Sequence, residues 1–256
     1  MEDNTQLGAV TTVIENLIAT VTFYHPAHNS LPGKLLAELR DAIDQAGQDE
    51  NVLVIILKSE GDRTFCAGAS FDELIAIDNI ENGKKFFMGF ANVINACRKC
   101  PKLIIGRVQG KAVGGGVGLA AATDYCFATK FSAVKLSELA VGIGPFVVGP
   151  AVERKIGTSA MTQLAYNATE WQSATWACTK GLYANIYDSI EEMDAAILKL
   201  AQKLALSNPE AMRMMKKAFW RETADWEELL AERAAMSGQL VLSDFTRKAI
   251  QKFKSK

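Results

Sequence analysis

The chain has 256 residues, with 28 Lys and Arg against 29 Asp and Glu and a formal net charge of −1. So even a balance leaves no electrostatic footprint for nucleic acid, and no apolar run reaches the ~20 residues of a transmembrane helix. Hydrophobic residues make up 49% and charged residues 22%, which fits a globular enzyme of one domain, with at most a small appendage.

The start is acidic at Glu2 and Asp3 and has no basic n-region, so no signal peptide and a cytoplasmic location are expected. Residues 10–15 and 17–24 are rich in β-branched side chains and predict an N-terminal hairpin. A turn over residues 25–30 leads to Pro32, which opens a helix to about Gln48 with Leu35, Leu36, Leu39 and Ile43 on one face. An apolar strand is expected at 52–57, then a loop over 61–68, a short helix at 71–75 and a longer one at 83–99 that Pro101 ends. The five cysteines are Cys66, Cys97, Cys100, Cys126 and Cys178, an odd number that fits free thiols. Cys97 and Cys100 have CxxC spacing, but no second pair accompanies them and both histidines lie far upstream. A structural role at a helix end is expected there, and no metal.

Next comes a buried strand at 103–108, then Gly110-Lys111-Ala112-Val113-Gly114-Gly115-Gly116-Val117-Gly118, then the helical run Leu119-Ala120-Ala121-Ala122. The glycines therefore sit at a strand-to-helix junction. Glycine permits positive φ and close approach, and a helix start leaves N–H groups unpaired where an oxyanion can be held. Lys and Ser/Thr are missing where Walker A requires them, and there is no strict G-x-G-x-x-G, so neither nucleotide fingerprint is present. Strands are expected at 125–129 and 133–136, followed by a glycine- and proline-rich loop over 137–150. Helices follow at 151–156 and 159–166, then a short helix and a strand at 184–187. From residue 190 the pattern is helical throughout: 190–206, 209–220, 226–242 and 243–254. Strands alternating with helices and then helices alone predict an α/β core with a C-terminal helical region.

A second glycine element, Thr64-Phe65-Cys66-Ala67-Gly68-Ala69-Ser70-Phe71-Asp72-Glu73, also follows a buried strand and precedes a short helix. Two such strand ends can aim two backbone N–H groups at one point, as an oxyanion hole requires. Taken with Asn29-Ser30-Leu31, Asp124, Ser137-Glu138 and the basic last helix, these elements resemble the crotonase family, also called the enoyl-CoA hydratase/isomerase family. The resemblance covers nearly the whole chain. It implies a spiral of ββα units with two nearly perpendicular sheets, residues 1–188 forming the core and residues 189–256 a helical trimerisation region of the same structural domain. It also implies a homotrimer or hexamer, an acyl-CoA thioester as substrate, and no cofactor.

Matched motif to motif, the resemblance implies an oxyanion hole from the N–H groups of Ala69 and Gly115, with Ala67, Gly68, Gly114 and Phe87 binding substrate. The same matching implies that Glu138 moves the proton. On the residues alone, Glu138 reads equally as a surface or helix-capping carboxylate. Family hydratases with two glutamates carry one of them at the position of Gly118, so this chain resembles the one-glutamate isomerases. A hydratase for short or branched enoyl groups such as methylglutaconyl-CoA, an acyl-CoA decarboxylase and a non-catalytic acyl-CoA binder are the alternatives. Asp72 and Glu73 stand as further carboxylates near the first glycine element.

Overall fold

The computed structural model describes residues 8–254, so the acidic start at Glu2 and Asp3 lies outside the described residues. Strands β1 (Ala9–Glu15) and β2 (Ile18–Tyr24) form the expected antiparallel hairpin. Its two-residue turn is Asn16 and Leu17, at φ 50° and 66°. A tight hairpin needs positive φ at both central positions to match the twist of its strands, so the second strand starts one residue later than predicted.

Strands β3 (Val54–Ser59), β5 (Leu103–Val108), β7 (Tyr125–Thr129) and β9 (Asn185–Tyr187) extend this hairpin into a six-stranded sheet. Its order is β1-β2-β3-β5-β7-β9, parallel from β2 onward. Alternate side chains divide its two faces. Ala19, Val21, Ile55, Leu57, Ile104 and Ala128 enter the main core, while Ile18, Val54, Ile56, Ile105 and Phe127 face the other way. Helix α7 (Ile190–Ala205) covers that second face with Met193, Ile197 and Ala201. Being covered on both sides is why β3 and β5 read as continuous apolar runs.

Three short strands build a second, parallel sheet in the order β4 (Thr64–Cys66), β6 (Lys111–Val113), β8 (Val134–Lys135). The first lies in the predicted 61–68 loop and the second inside the glycine junction. The third falls within the strand expected at 133–136; the other two, of three residues each, show no periodicity, so only their pairing reveals them. The chain thus runs from the large sheet to the small one three times, β3 to β4, β5 to β6 and β7 to β8. Buried polar side chains tie the three corners together. The Gln109 Nε2 amide donates to Ser59 Oγ (2.9 Å) and the Thr64 carbonyl (3.2 Å), Thr129 Oγ1 donates to the Gln109 carbonyl (2.7 Å), and Ser132 Oγ donates to the Val108 carbonyl (2.6 Å).

Helix α1 (Gly33–Gln48) begins just after Pro32, and α2 (Phe71–Ile75) is capped by Ser70 Oγ, which accepts the Glu73 N–H. Helix α3 (Ile80–Lys99) starts three residues before the prediction because Asn79 caps it. Its Gly83 packs on Gly238 of α9 (Trp226–Leu240); a Cβ on Gly83 would lie 2.8 Å from the Gly238 Cα. Helix α4 (Gly115–Ala122) follows the glycine junction. The two helices expected at 151–156 and 159–166 join as α5 (Gly149–Tyr166), broken at Gly157 with φ 74°. Helices α6 (Ala174–Thr179), α8 (Pro209–Phe219) and α10 (Asp244–Lys254) complete the described chain. No helix among the described residues is long and apolar enough to cross a membrane.

Candidate active site

All three chemistry-bearing segments leave the same, C-terminal end of the small sheet's parallel strands. Ala69 follows β4, Gly115 follows β6 and Glu138 follows β8. Parallel pairing of these strands brings residues from three distant stretches to one place. They meet around a cavity of about 440 Å³. Every predicted site residue lines it: Ala67, Gly68, Ala69, Phe87, Gly114, Gly115 and Glu138.

The first two segments approach at van der Waals distance. Gly68 has φ 92°, and a Cβ there would lie 3.1 Å from the Val113 carbonyl oxygen and 3.6 Å from the Gly115 nitrogen. Gly115 has no room for a side chain either, since a Cβ would overlap the Phe90 ring. The neighbouring amides are occupied: Ala67 N–H donates to the His28 carbonyl (3.2 Å) and Gly114 N–H to the Lys135 carbonyl (2.9 Å). Among the described residues, the N–H groups of Ala69 and Gly115 have no acceptor. A helix start supplies such free donors, and Gly115 is the first residue of α4.

Glu138 opens a 3₁₀ turn, Glu138–Val141, inside the segment predicted as a loop. Gly142 ends this turn in the left-handed region at φ 82°. A Cβ there would meet the Phe245 ring at 2.5 Å, so the glycine lets α10 dock over the turn. The Glu138 carboxyl lies against Gly114, where an added Cβ would be 3.0 Å from Oε1. Oε2 is buried and has no hydrogen-bond partner. Burial pushes this carboxyl from the ordinary 4.5 up to about 7, opposed only by its own backbone N–H. A carboxyl of that kind exchanges a proton near neutral pH.

The other carboxylates near the first glycine element do not line this cavity. Glu73 Oε2 accepts the Gly33 N–H at 2.9 Å, and Asp72 is exposed. The Cys66 thiol is buried and pushed up to about 12, which makes it inert. All five cysteines are free, and no group of three or more His, Cys, Asp or Glu side chains among the described residues could hold a metal.

On α3, Phe86, Phe87 and Phe90 line the cavity. Sequence reasoning missed Val148 and Lys135, which also line it. Val148 explains Gly118: a Cβ on Gly118 would lie 2.5 Å from Val148 Cγ1 and 2.8 Å from its Cβ. The space a side chain at 118 would need is therefore filled by valine. Nothing in the irregular segment 144–148 signals this.

A family model described as enoyl-CoA hydratase/isomerase matches residues 13–256. The probable enoyl-CoA hydratase of Bacillus subtilis is 28% identical over 253 residues, covering 98% of this chain and 97% of the relative. The mitochondrial methylglutaconyl-CoA hydratase of Homo sapiens is 33% identical over 194 residues, covering 74% of this chain and 57% of the relative. Among solved structures, an enoyl-CoA hydratase/isomerase from Xanthobacter autotrophicus superposes with a TM-score of 0.87 at 19% identity, covering 98% of this chain and 94% of that one. A crotonase from Legionella pneumophila, described as a putative enoyl-CoA hydratase/isomerase, gives a TM-score of 0.78 at 30% identity, covering 97% of both chains. A sequence match along almost the entire chain and the same spiral in solved relatives have one explanation: this protein is an enzyme of the enoyl-CoA hydratase/isomerase (crotonase) family.

Proposed function

We propose that the protein isomerises the double bond of an enoyl-CoA, with Glu138 as its single proton carrier. The thioester oxygen accepts the N–H groups of Ala69 and Gly115. The Glu138 carboxylate takes a proton from the α carbon of a 3-enoyl thioester, and the C–H electrons form a dienolate whose negative oxygen the two amides hold. The same carboxyl then returns the proton at the γ carbon, leaving the 2-enoyl product. Each backbone donor of this kind typically contributes about 3 kcal/mol to the transition state. Ala67, Gly68 and Gly114 shape the thioester end, and Phe87 borders the acyl chain.

The observation that carries this reading is the Glu138 carboxyl, buried with its Oε2 unpartnered, on the same cavity as two free amide donors. Hydration more easily uses two groups, one to activate water and one to protonate carbon. Val148 occupies the space beside Gly118, which supports the one-glutamate chemistry. A hydratase is the second reading, favoured by the names of the Bacillus and human relatives. Assembly as a homotrimer or hexamer belongs to the proposal, supported by the exposed Met214, Met215 and Phe219 on α8.

Purified protein should be incubated with 2-enoyl-CoA and 3-enoyl-CoA thioesters. Isomerisation appears as the ultraviolet band of the conjugated thioester without change of mass; hydration adds the mass of water. Glu138→Gln should lower kcat by roughly 10²–10⁴ and leave acyl-CoA binding nearly intact. Turnover close to wild type in that variant would overturn the assignment.

A further inference from the structure

Lys135 and Glu138 are the two charged residues that line an otherwise largely apolar cavity. Lys135 ends β8 opposite Val113, and Lys111 stands two residues before Val113 on β6. Alternation along a strand puts Lys111, Val113 and Lys135 on one face of the small sheet, and Val113 also lines the cavity. Trp171 caps this face. Its position is set by Gln172, whose backbone exchanges two 2.9 Å hydrogen bonds with Val134. The Lys135 Nζ lies 4.6 Å from the Trp171 ring centroid, and the Lys111 Nζ 5.1 Å from it. Such contacts restrain both ammonium groups without neutralising them.

Neither ammonium makes an ion pair or hydrogen bond with a carboxylate among the described residues. Lys135 does not serve Glu138 either, since a nearby cation would hold that carboxyl down and none does. A cation held on a tryptophan face and left without a carboxylate partner is one arranged for an anionic ligand group. Its place narrows which group. The Lys135 carbonyl holds the Gly114 N–H, next to the proposed Gly115 donor, and Glu138 lies three residues further on. The Lys135 backbone is thus fixed beside the proposed oxyanion donor, and its side chain starts from that end of the cavity. The CoA diphosphate is removed from the thioester by the whole pantetheine arm.

We propose that Lys135, restrained by Trp171 and backed by Lys111, selects an acyl-CoA whose acyl group carries a second carboxylate. This rests on the acyl-CoA reading of the cavity and names its substrate class as a short dicarboxylic acyl thioester. Lys135 is a specificity residue that touches the far carboxylate, and Glu138 remains the proton carrier.

Binding of saturated thioesters tests this without any turnover. Calorimetry should compare glutaryl-CoA with pentanoyl-CoA, which has an acyl chain of the same length without the carboxylate. Wild type should bind glutaryl-CoA more tightly. Lys135→Met should weaken glutaryl-CoA roughly ten- to hundredfold, the range for a hydrogen bond to a charged group, and leave pentanoyl-CoA unchanged. Lys135→Arg should keep the preference, and so should Glu138→Gln. Equal affinities in wild type would overturn the inference. So would a Lys135→Met variant that weakens both thioesters and free CoA alike, which would assign the cation to a CoA phosphate. Failure of both thioesters and free CoA to bind would overturn the acyl-CoA reading itself.

Discussion

Asp124 and Glu138 are both withdrawn from water in the same chain, and their surroundings differ in one respect. Asp124 is fully partnered. Its Oδ2 accepts the Ile104 N–H and the Lys216 ammonium, each at 2.8 Å, and its Oδ1 accepts the Trp220 indole N–H at 2.7 Å. Its carbonyl accepts Lys155 Nζ at 3.0 Å, and Arg154 stacks on Trp220 at 3.8 Å from the ring centroid. That network staples α8 and α5 to the start of β5. Glu138 has an orphaned oxygen, no cation within reach and an open cavity in front of it. Burial with partners turns a carboxylate into a structural joint. Burial without them raises its proton affinity and leaves it available to a substrate.

The sharpest way to break this contrast is to exchange the two roles. Glu138→Gln should lose roughly two to four orders of magnitude in kcat while keeping the unfolding midpoint at or above that of wild type. Asp124→Ala should do the reverse. It strands a buried Lys216 and should cost about 3–5 kcal/mol in denaturant unfolding, with turnover per folded molecule unchanged. A stable but inactive Asp124→Ala protein would dissolve the distinction.

The pH dependence separates the two carboxylates next. The Glu138 proton is held to about 7 in the fold against 4.5 for an ordinary carboxyl. The folded protein therefore binds more protons than the unfolded chain between these values. Stability should be highest with respect to this group below pH 4.5 and fall by up to about 3 kcal/mol as pH rises through 7. Activity should move the opposite way, with kcat/KM rising through about pH 7 as the base ionises. Both trends should vanish in Glu138→Gln, and denaturant unfolding across pH reads the first.

The smallest effect concerns the place where a second carboxylate would stand. Gly118→Ala should cost roughly 1–3 kcal/mol by overpacking against Val148. Combining it with Val148→Ala should cost less than the sum of the two single changes, as a double-mutant cycle would show. Additive costs would mean that Val148 is not what excludes a side chain at 118.

Much of this site was legible in the chain because its chemistry is local. The small-residue turns around Ala69 and Gly115 each follow an apolar strand and precede a helix, and no other residue types fit such close approaches. Glu138 could be numbered but not characterised. Its carboxyl lies against Gly114, and α10 docks on its 3₁₀ turn at Gly142, so its surroundings come from segments before and well after it in the chain. Lys135 was only part of the predicted strand at 133–136, and Val148 only part of the predicted loop at 137–150. Asp124 was visible as a motif position, but its partners Lys216 and Trp220 lie about ninety residues downstream.

The sequence by itself determined which elements exist wherever they are long and strongly patterned: the hairpin, the long strands of the large sheet and the C-terminal helices. Hydrophobic periodicity and capping act over a few turns and need no distant partner. Beyond the strand expected at 133–136, which holds β8, the tertiary structure alone decided the small sheet β4-β6-β8. Strands of two or three residues have too few side chains to bias their own conformation, and they exist because the parallel corners hold them together. That sheet gathers Ala69, Gly115, Lys135 and Glu138 around one cavity. The burial it creates then sets the proton affinity of Glu138, because desolvation is a property of everything packed around a group and not of its neighbours in the chain.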